Sequence, residues 1–278
     1  MLSINTNVMA LNAQDNLQNT QSAMATSVQR LSSGLRINSA ADDAAGLAIS
    51  QRMLAQVNGQ NVAIQNANNA VSLAQVADGA LGQVANSLQR MRELAVESAN
   101  ATNGSGDRQN LNAEYSQLQD EIQRVLGGTQ FNGTNILASG AGTLTFQVGA
   151  NTTSNDQISL VTTNMTTNTT ITNVTNTSSS DITTASNATA AITAIDSALD
   201  TVNQERANYG ADENRFNSVV QTLQVSVQNQ SSARSQIVDA DFAAETSNLT
   251  RSQILQQAGT AMLAQANQLP QSVLKLLQ

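Results

Sequence analysis

Few residues in this chain have the types and spacing that chemistry requires. Asp42 and Asp43 are adjacent carboxylates, which could serve as acid and base or bind a cation. Both precede Ala44, where a helical pattern begins and where acidic side chains cap a helix and complement its dipole. No partner group for chemistry lies nearby in the sequence, so we interpret the two residues as helix caps.

The residue types on which most catalytic and metal sites depend are missing. The chain has no Cys and no His, which excludes thiol nucleophiles, imidazole bases, disulfides and structural zinc. Its glycines match no phosphate-binding loop followed by Lys and Ser or Thr. We therefore predict that the protein is not an enzyme and that it uses no cofactor and no metal ion.

The charge balance excludes two further classes of function. The net charge is −8, from 12 basic and 20 acidic residues, and Lys275 is the single lysine, so nucleic-acid binding is not expected. No apolar run is long enough to insert into a membrane. Residues 1–5 lack the basic and apolar regions of a cleaved signal peptide, so we expect export, if it occurs, to leave the N-terminus uncleaved.

Uncharged amides dominate the polar residues. We count 32 Asn and 31 Gln, about twice as many as the charged residues, which number 32. A surface with so little charge is better suited to packing against copies of the same chain than to keeping them apart.

The elements that carry these residues are mostly helices with apolar side chains every three or four positions. One stripe includes Leu17, Met24, Val28 and Leu31, and the same rule predicts helices over residues 44–99, 107–126 and 187–235. Arg206 and Glu213 interrupt the stripe of the 187–235 helix, where they could set the register against another helix or extend to solvent from the bundle edge. The final helix repeats the spacing with Leu255, Met262, Leu269, Val273 and Leu276.

The middle of the chain has a different pattern. Residues 144–148 and 158–160 alternate between apolar and polar side chains, which predicts a β-hairpin with its turn near residues 151–155. Over residues 162–187, 20 of 26 side chains are Thr, Ser or Asn. We expect this segment to be an exposed loop, in which the Ser and Thr side chains from Thr162 to Ser186 are available for O-glycosylation, at sites that the sequence does not specify.

These patterns predict a mainly α fold: an elongated antiparallel helical bundle of coiled-coil character, with a small β-hairpin region and a two-helix terminal coiled coil. We assign residues 1–43 to an N-terminal core helix and 44–161 to bundle helices plus the hairpin. Residues 162–187 form the exposed variable segment, 188–235 the returning bundle helix, and 236–278 the C-terminal core helix. The two outer helices have narrow apolar seams, so we expect other subunits to complete their burial.

Several long motifs resemble one family, the bacterial flagellins. Residues 30–46 (RLSSGLRINSAADDAAG) are similar to the most specific stretch of that family. In the same order follow LQRMRELAVESAN at 88–100, TQFNG at 129–133, NRF at 214–216 and QANQLPQSVL at 265–274. The resemblance covers roughly 200 residues, including almost all of both ends.

The resemblance implies a structural subunit that self-assembles into the flagellar filament for swimming motility. In it, Leu17, Met24, Val28, Leu31, Leu255, Met262, Leu269, Val273 and Leu276 would pack the filament core. The expected partners are further copies of the chain, a flagellar export chaperone, a filament cap and hook-filament junction proteins. The expected location is the extracellular filament, reached through type III export. The alternatives are a hook-filament junction protein and a surface binding or adhesion module.

A charged patch on the 44–99 helix has two interpretations. Arg90, Arg92, Glu93 and Glu97 could be a solvated face with weak local ion pairs. The resemblance to flagellins instead implies that Gln89, Arg90, Leu94 and Glu114 form the surface that the animal Toll-like receptor for flagellin recognises.

Overall fold

The computed structural model describes residues 6–176 and 180–276, with side chains in the last helix up to residue 268. The helices are α1 Val8–Ser33, α2 Ala44–Ala99, α3 Ser105–Gly128, α4 Thr169–Thr175, α5 Ala185–Val238 and α6 Phe242–Leu276. The strands are β1 Gln130–Phe131, β2 Thr134–Asn135, β3 Thr143–Gln147 and β4 Gln157–Val161. The prediction of a mainly α fold is confirmed, and α2 begins and ends at the predicted residues.

The chain divides into two compact units. The terminal unit comprises residues 1–55 and 228–278, and the central unit comprises residues 56–227. The boundaries between the units therefore fall inside α2 and α5, whereas the boundaries that we assigned from the sequence fall near the ends of helices.

In the central unit, polar contacts between α2 and α5 show that the two helices are antiparallel. Gln60 Nε2 donates to Ser226 Oγ at 3.0 Å, near one end of the paired segments. Arg206 Nε lies 2.8 Å from Asp78 Oδ1, and Arg92 Nε lies 2.7 Å from Asp196 Oδ1. Residue numbers rise along α2 as they fall along α5. Arg206 therefore contacts the opposite helix while its side chain stays partly exposed, which fits both interpretations of this residue.

The core of the central unit combines small and large side chains. Ala67, Ala70, Ala74 and Ala77 of α2 are buried, so neighbouring elements can pack closely against this part of the helix. The largest fully buried side chains include Tyr115, Tyr209 and Phe216. The Phe216 ring meets Phe146 edge to face, with centroids 5.7 Å apart and planes at 80°.

Two hairpins lie between α3 and α4. The predicted hairpin is confirmed: β3 and β4 pair antiparallel, with Leu144 opposite Leu160 and Phe146 opposite Ile158. The shorter hairpin, β1–β2, was not predicted. Its two turn residues, Asn132 and Gly133, have φ of 49° and 79°, the left-handed backbone that a two-residue turn between strands requires.

The prediction that residues 162–187 form an exposed loop is wrong for much of that segment. Met165, Ile171, Val174 and Ile182 are fully buried in the core of the central unit. Asn168 caps α4 by accepting a hydrogen bond from Thr170 N at 3.0 Å, and Ile171, Val174 and Thr175 then share the buried face of this short helix. Residues 177–179 of the segment lie outside the described part of the chain.

The availability of Thr162 for O-glycosylation is also a wrong prediction. Thr162 is only 3% exposed, because it continues the pairing of the β3–β4 hairpin beyond the last strand residue. Its backbone N donates to Gly142 O at 2.9 Å, and its Oγ1 accepts from Gly142 N at 2.9 Å. Thr175 and Ser180 are likewise buried. A glycan cannot be accommodated at these three buried hydroxyl groups. Thr162, Thr175 and Ser180 are therefore not candidate glycosylation sites.

Polar side chains of α3 explain how so polar a segment can be buried. Gln119 Nε2 donates to the carbonyl oxygens of Val174 at 2.6 Å and Ser180 at 2.9 Å. Gln123 Nε2 donates to Thr175 O at 2.8 Å. Because these contacts supply hydrogen-bond donors to backbone carbonyl groups of the Thr-rich segment, the segment can pack against α3.

Gln119 provides a test of this packing. In Gln119→Ala, two buried carbonyl groups lose their donor, so we expect the free energy of unfolding of the central unit to fall by about 2–4 kcal/mol. Urea unfolding followed by tyrosine fluorescence measures this unit alone, because both tyrosines of the chain lie in it. Gln123→Ala is the matched control: this exposed side chain satisfies one carbonyl, and we expect a loss below about 1 kcal/mol. Equal stability of Gln119→Ala and the wild type would contradict this account.

Candidate assembly interface

The adjacent carboxylates Asp42 and Asp43 hold backbone in place, as expected from their position before α2. Asp43 Oδ1 accepts from Gly46 N at 2.8 Å and caps the helix. Asp42 Oδ2 accepts from Ser39 N at 2.8 Å and Asn38 N at 3.1 Å, and these donors hold the pKa of the Asp42 carboxyl below its ordinary value. The interpretation as a helix cap is therefore confirmed for Asp43. It is wrong for Asp42, whose carboxylate binds the turn before α2 and not the first turn of the helix.

Among residues 6–176 and 180–276, no three acidic side chains are grouped so that they could hold a metal ion. Across the same residues, none of the helices has an apolar stretch of the length that a membrane span requires.

In the terminal unit, α1 and α6 pack against each other in antiparallel directions. Asn7 Nδ2 donates to Ala266 O at 2.8 Å near one end of the pair. Arg30 Nη1 lies 3.7 Å from Glu245 Oε2 near the other end. The predicted two-helix pairing of the chain ends is therefore present within the chain.

Small side chains form the seam between α1 and α6, by which we mean the line where the two helices touch. Ser27, Ser252 and Ala266 are buried along it. A Cβ atom added at Gly259 would lie 3.4 Å from Leu17 Cδ1, so the two helices come close at this point. Side chains this small bring the helix axes together but bury little apolar area.

The residues predicted to form an apolar seam are divided between two environments. Leu17, Met24 and Leu31 are half-buried. Val28, Leu255 and Met262 have 50%, 51% and 63% of their surface exposed. Leu255 and Met262 do not lie in the contact between α1 and α6, because the positions three residues earlier, Ser252 and Gly259, occupy it. Their packing in the filament core stays a prediction. The side chains of Leu269, Val273 and Leu276 lie outside the described part.

An open groove of about 700 Å³ lies between α1 and α6. We call it the terminal groove. Its lining includes the apolar side chains of Met9, Ala13, Leu17, Leu255 and Met262. Several other large apolar side chains of the same unit are also exposed: Val8, Leu11, Phe242 and Ile254. The terminal unit therefore presents more apolar surface than its own helices cover.

The charges of the chain are distributed unevenly between the units. The terminal unit contains six basic and six acidic residues, and the central unit contains six basic and fourteen acidic residues. The entire net charge of −8 is therefore carried by the central unit, and the terminal unit is neutral.

The four residues of the predicted receptor surface are not all on the surface. Gln89, Arg90 and Glu114 are exposed, and Arg90 Nε lies 2.8 Å from Glu114 Oε1 while its Nη1 lies 2.9 Å from Glu93 Oε2. Hydrogen bonds to Glu114 and Glu93 raise the pKa of the Arg90 guanidinium. Leu94 is only 1% exposed and belongs to the core, so its assignment to an exposed surface is wrong. The 3–4 spacing of α2 places Leu94 with the buried side chains of the helix and could have indicated its burial.

These features define a mainly α-helical structural protein whose paired terminal helices leave apolar surface uncovered. Comparisons with known proteins agree. The family model for the bacterial flagellin N-terminal helical region matches residues 4–142, and the model for the C-terminal helical region matches residues 192–277. The chain therefore belongs to the bacterial flagellin family, and it is a structural subunit of the bacterial flagellar filament. The resemblance seen in the sequence is confirmed, and neither a junction protein nor an adhesion module is favoured.

Similar proteins span the whole chain. A flagellin of Halalkalibacterium halodurans is 45% identical over 274 residues, with 99% of each chain covered. A flagellar filament 33 kDa core protein of Treponema phagedenis is 41% identical over 284 residues, again with 99% of each chain covered. The crystal structure of Bacillus cereus flagellin matches 57% of this chain and 88% of its own, with 33% identity and a TM-score of 0.51.

A disulfide tests the contact between α1 and α6. A Cβ at Gly259 would lie 3.9 Å from Leu17 Cβ, within the range of about 3.5–4.5 Å that a disulfide requires. Since the chain has no native Cys, Leu17→Cys combined with Gly259→Cys should close a single crosslink under mild oxidation. The crosslink is read as a reductant-sensitive change in gel mobility.

The matched control for this crosslink replaces Asp15, an exposed residue two positions before Leu17 on α1. Asp15→Cys combined with Gly259→Cys should stay reduced within the chain, because residues two apart on a helix point to nearly opposite sides. Equal crosslinking of the two pairs, or none in the Leu17 pair, would contradict the described seam.

Proposed function

We propose that this subunit assembles through its terminal unit, and that the central unit lies on the outside of the filament. One observation carries the proposal: the terminal unit is neutral and exposes large apolar side chains, among them Met9, Leu255 and Met262. Covering these side chains with a second copy removes apolar area from water, at about 25 cal/mol per Å². The residues predicted from the sequence to pack the filament core retain that proposed role toward other copies.

Electrostatics supports the same division. Copies in a filament place equivalent units close together, so a unit with a large net charge meets like charges on its neighbours. Neutral terminal units have no net charge to repel one another, whereas central units of net charge −8 are better placed where water and salt screen them. A contact between two different surfaces, repeated without closing into a ring, then produces a filament.

The seam between α1 and α6 also supports a link between assembly and ordering. Ser27, Ser252 and Ala266 bury little apolar area for the length of helix that they hold in place. The helix pair therefore gains much of its stability from neighbouring copies. An incompletely stabilised pair is also easier to unfold for passage through a narrow export channel.

The family implies further partners, which we propose for this chain. Export follows the type III route without a cleaved signal peptide, and an export chaperone binds the C-terminal helix before assembly. A cap at the growing end and junction proteins at the base contact the terminal subunits. The filament is extracellular, and within it the central unit meets the medium.

The exposed side of the central unit supports two smaller proposals. Gln89, Arg90 and Glu114 form the part of the receptor surface that remains accessible to the animal Toll-like receptor for flagellin. Of the range from Thr162 to Ser186, the exposed hydroxyl side chains in the described part are those of Thr167, Thr169, Thr184 and Ser186. These four replace the whole range as the candidates for O-glycosylation.

Met262→Asp tests the assembly surface. The exposed side chain tolerates the change in the free chain, but a second copy would have to bury an unpaired carboxylate, at a cost of several kcal/mol. We expect the critical concentration for polymerisation, measured by sedimentation, to rise by about a hundredfold or more. Tyrosine fluorescence should show an unchanged central unit.

Gln257→Asp supplies the same charge on α6 at an exposed position that does not line the terminal groove. Its effect on the critical concentration should be much smaller. Normal polymerisation of Met262→Asp, or equal losses in the two variants, would show that copies do not meet at the groove.

Arg90→Ala tests the receptor proposal. Arginine is frequent among the residues that dominate binding interfaces, so we expect binding of the dissociated chain to the receptor ectodomain to weaken by about tenfold or more. Arg124→Ala is the control, since Arg124 also forms an exposed ion pair, with Glu121 at 2.6 Å. An unchanged Kd for Arg90→Ala, or the same loss for Arg124→Ala, would remove the patch from the proposal.

A further inference from the structure

We propose that Met9 and Met262 are oxidation sites, and that their conversion to methionine sulfoxide prevents a free subunit from assembling. The inference rests on the proposed function, because it requires that another copy cover the terminal groove. The modification is covalent: peroxide or hypochlorous acid oxidises the thioether sulfur of each methionine. It goes beyond the structural role of the two side chains.

The methionines of the chain differ sharply in exposure. Met9 and Met262 are both 63% exposed, whereas Met91 and Met165 are 0% exposed in the core of the central unit. Susceptibility to oxidation follows access to the sulfur. The chain has no cysteine, so the exposed thioethers are its most readily oxidised sulfur atoms.

Both exposed methionines line the same surface. Met9 on α1 and Met262 on α6 contribute to the lining of the terminal groove, beside small residues such as Ala13, Ala258 and Gly259. A flexible, polarisable thioether adapts well to an irregular apolar partner. Met9 and Met262 are therefore suited to the contact between copies and are also readily reached by an oxidant.

The chemistry is a two-electron oxidation. A lone pair of the thioether sulfur attacks one peroxide oxygen, the S–O bond forms as the O–O bond breaks, and the hydroxide released takes up the proton left on the transferred oxygen to become water. The sulfur is oxidised to the sulfoxide, and one equivalent of peroxide is reduced to water. With hypochlorous acid the oxygen is transferred in the same way, and chloride and a proton leave.

Oxidation changes what the groove offers to a second copy. A sulfoxide is polar and chiral where the thioether is apolar and flexible, so it disrupts contacts that methionine makes. Covering it with a second copy also removes its oxygen from water. The oxidised subunit therefore keeps its fold, because neither sulfur is part of its own core, but it fails to join the filament. Subunits already assembled are protected, since the neighbouring copy covers both sulfurs.

The first experiment treats the full chain with limiting hydrogen peroxide, once dissociated and once polymerised, and measures sulfoxide at each methionine by peptide mass spectrometry. In the dissociated chain we expect Met9 and Met262 to react well before Met91 and Met165. In the polymer both should be protected. If the polymer leaves them as reactive as in the dissociated chain, the groove is not covered, and the proposed assembly surface fails together with this inference.

The second experiment measures the critical concentration for polymerisation before and after peroxide treatment. We expect a rise of about tenfold or more in the wild type, because the polar sulfoxide must lose water when a second copy covers it, and reversal by methionine sulfoxide reductases A and B together. In the double variant Met9→Leu and Met262→Leu, peroxide treatment should leave the critical concentration almost unchanged. This holds even if the two substitutions themselves alter the critical concentration of the untreated chain. Met53→Leu, outside the groove, should remain as sensitive as the wild type.

The outcomes separate the two proposals. Protection in the polymer together with unchanged polymerisation of the oxidised chain overturns the inference and leaves the assembly surface intact. Loss of polymerisation that persists in the double Leu variant, or that the reductases fail to reverse, also overturns it, because the damage then lies elsewhere.

Discussion

The contact between α1 and α6 is the constraint on which the behaviour of this subunit depends. Ser27, Ser252, Gly259 and Ala266 let the two helices approach closely, but they supply little apolar burial. A wider seam would have covered Leu255 and Met262 within the chain and removed the surface that we propose copies to share. The small residues thus hold the helices together and also leave their apolar side chains available.

In the central unit, apolar packing and polar pairs together fix the register of α2 against α5. Its helix α2 contributes many alanines to the core, and a stripe of similar small side chains does not by itself specify one register. Sliding α2 along α5 by a heptad would displace the buried side chains of Tyr209 and Phe216, and it would separate Asp78 from Arg206 and Arg92 from Asp196. Polar pairs of this kind are known to specify register in coiled coils. The central unit therefore fixes its arrangement by itself, whereas the terminal unit leaves part of its contact surface open.

The sequence predicted those features that depend on local periodicity. Helix α2 and the β3–β4 hairpin follow from the spacing of apolar residues, and the ends of α2 coincide with the predicted ones. The errors arise where burial depends on distant residues. No property of residues 162–187 alone indicates that Gln119 satisfies two of the backbone carbonyls there, or that Gly142 pairs with Thr162. Leu94 was assigned by family resemblance to a surface, although it is buried three residues after the core residue Met91.

The register of α6 shows why part of the interface could not be predicted. Residues three or four apart lie on neighbouring lines of one helix face, so a stripe through Leu255 and Met262 and a stripe through Ser252, Gly259 and Ala266 fit the same periodicity. A prediction based on hydrophobicity assigns the contact to the first stripe. Close approach of two helices selects the second, because a Cβ at Gly259 would already lie 3.4 Å from Leu17 Cδ1. In this chain the small residues therefore take the contact between α1 and α6, and the large residues remain exposed for the contact that we propose with other copies.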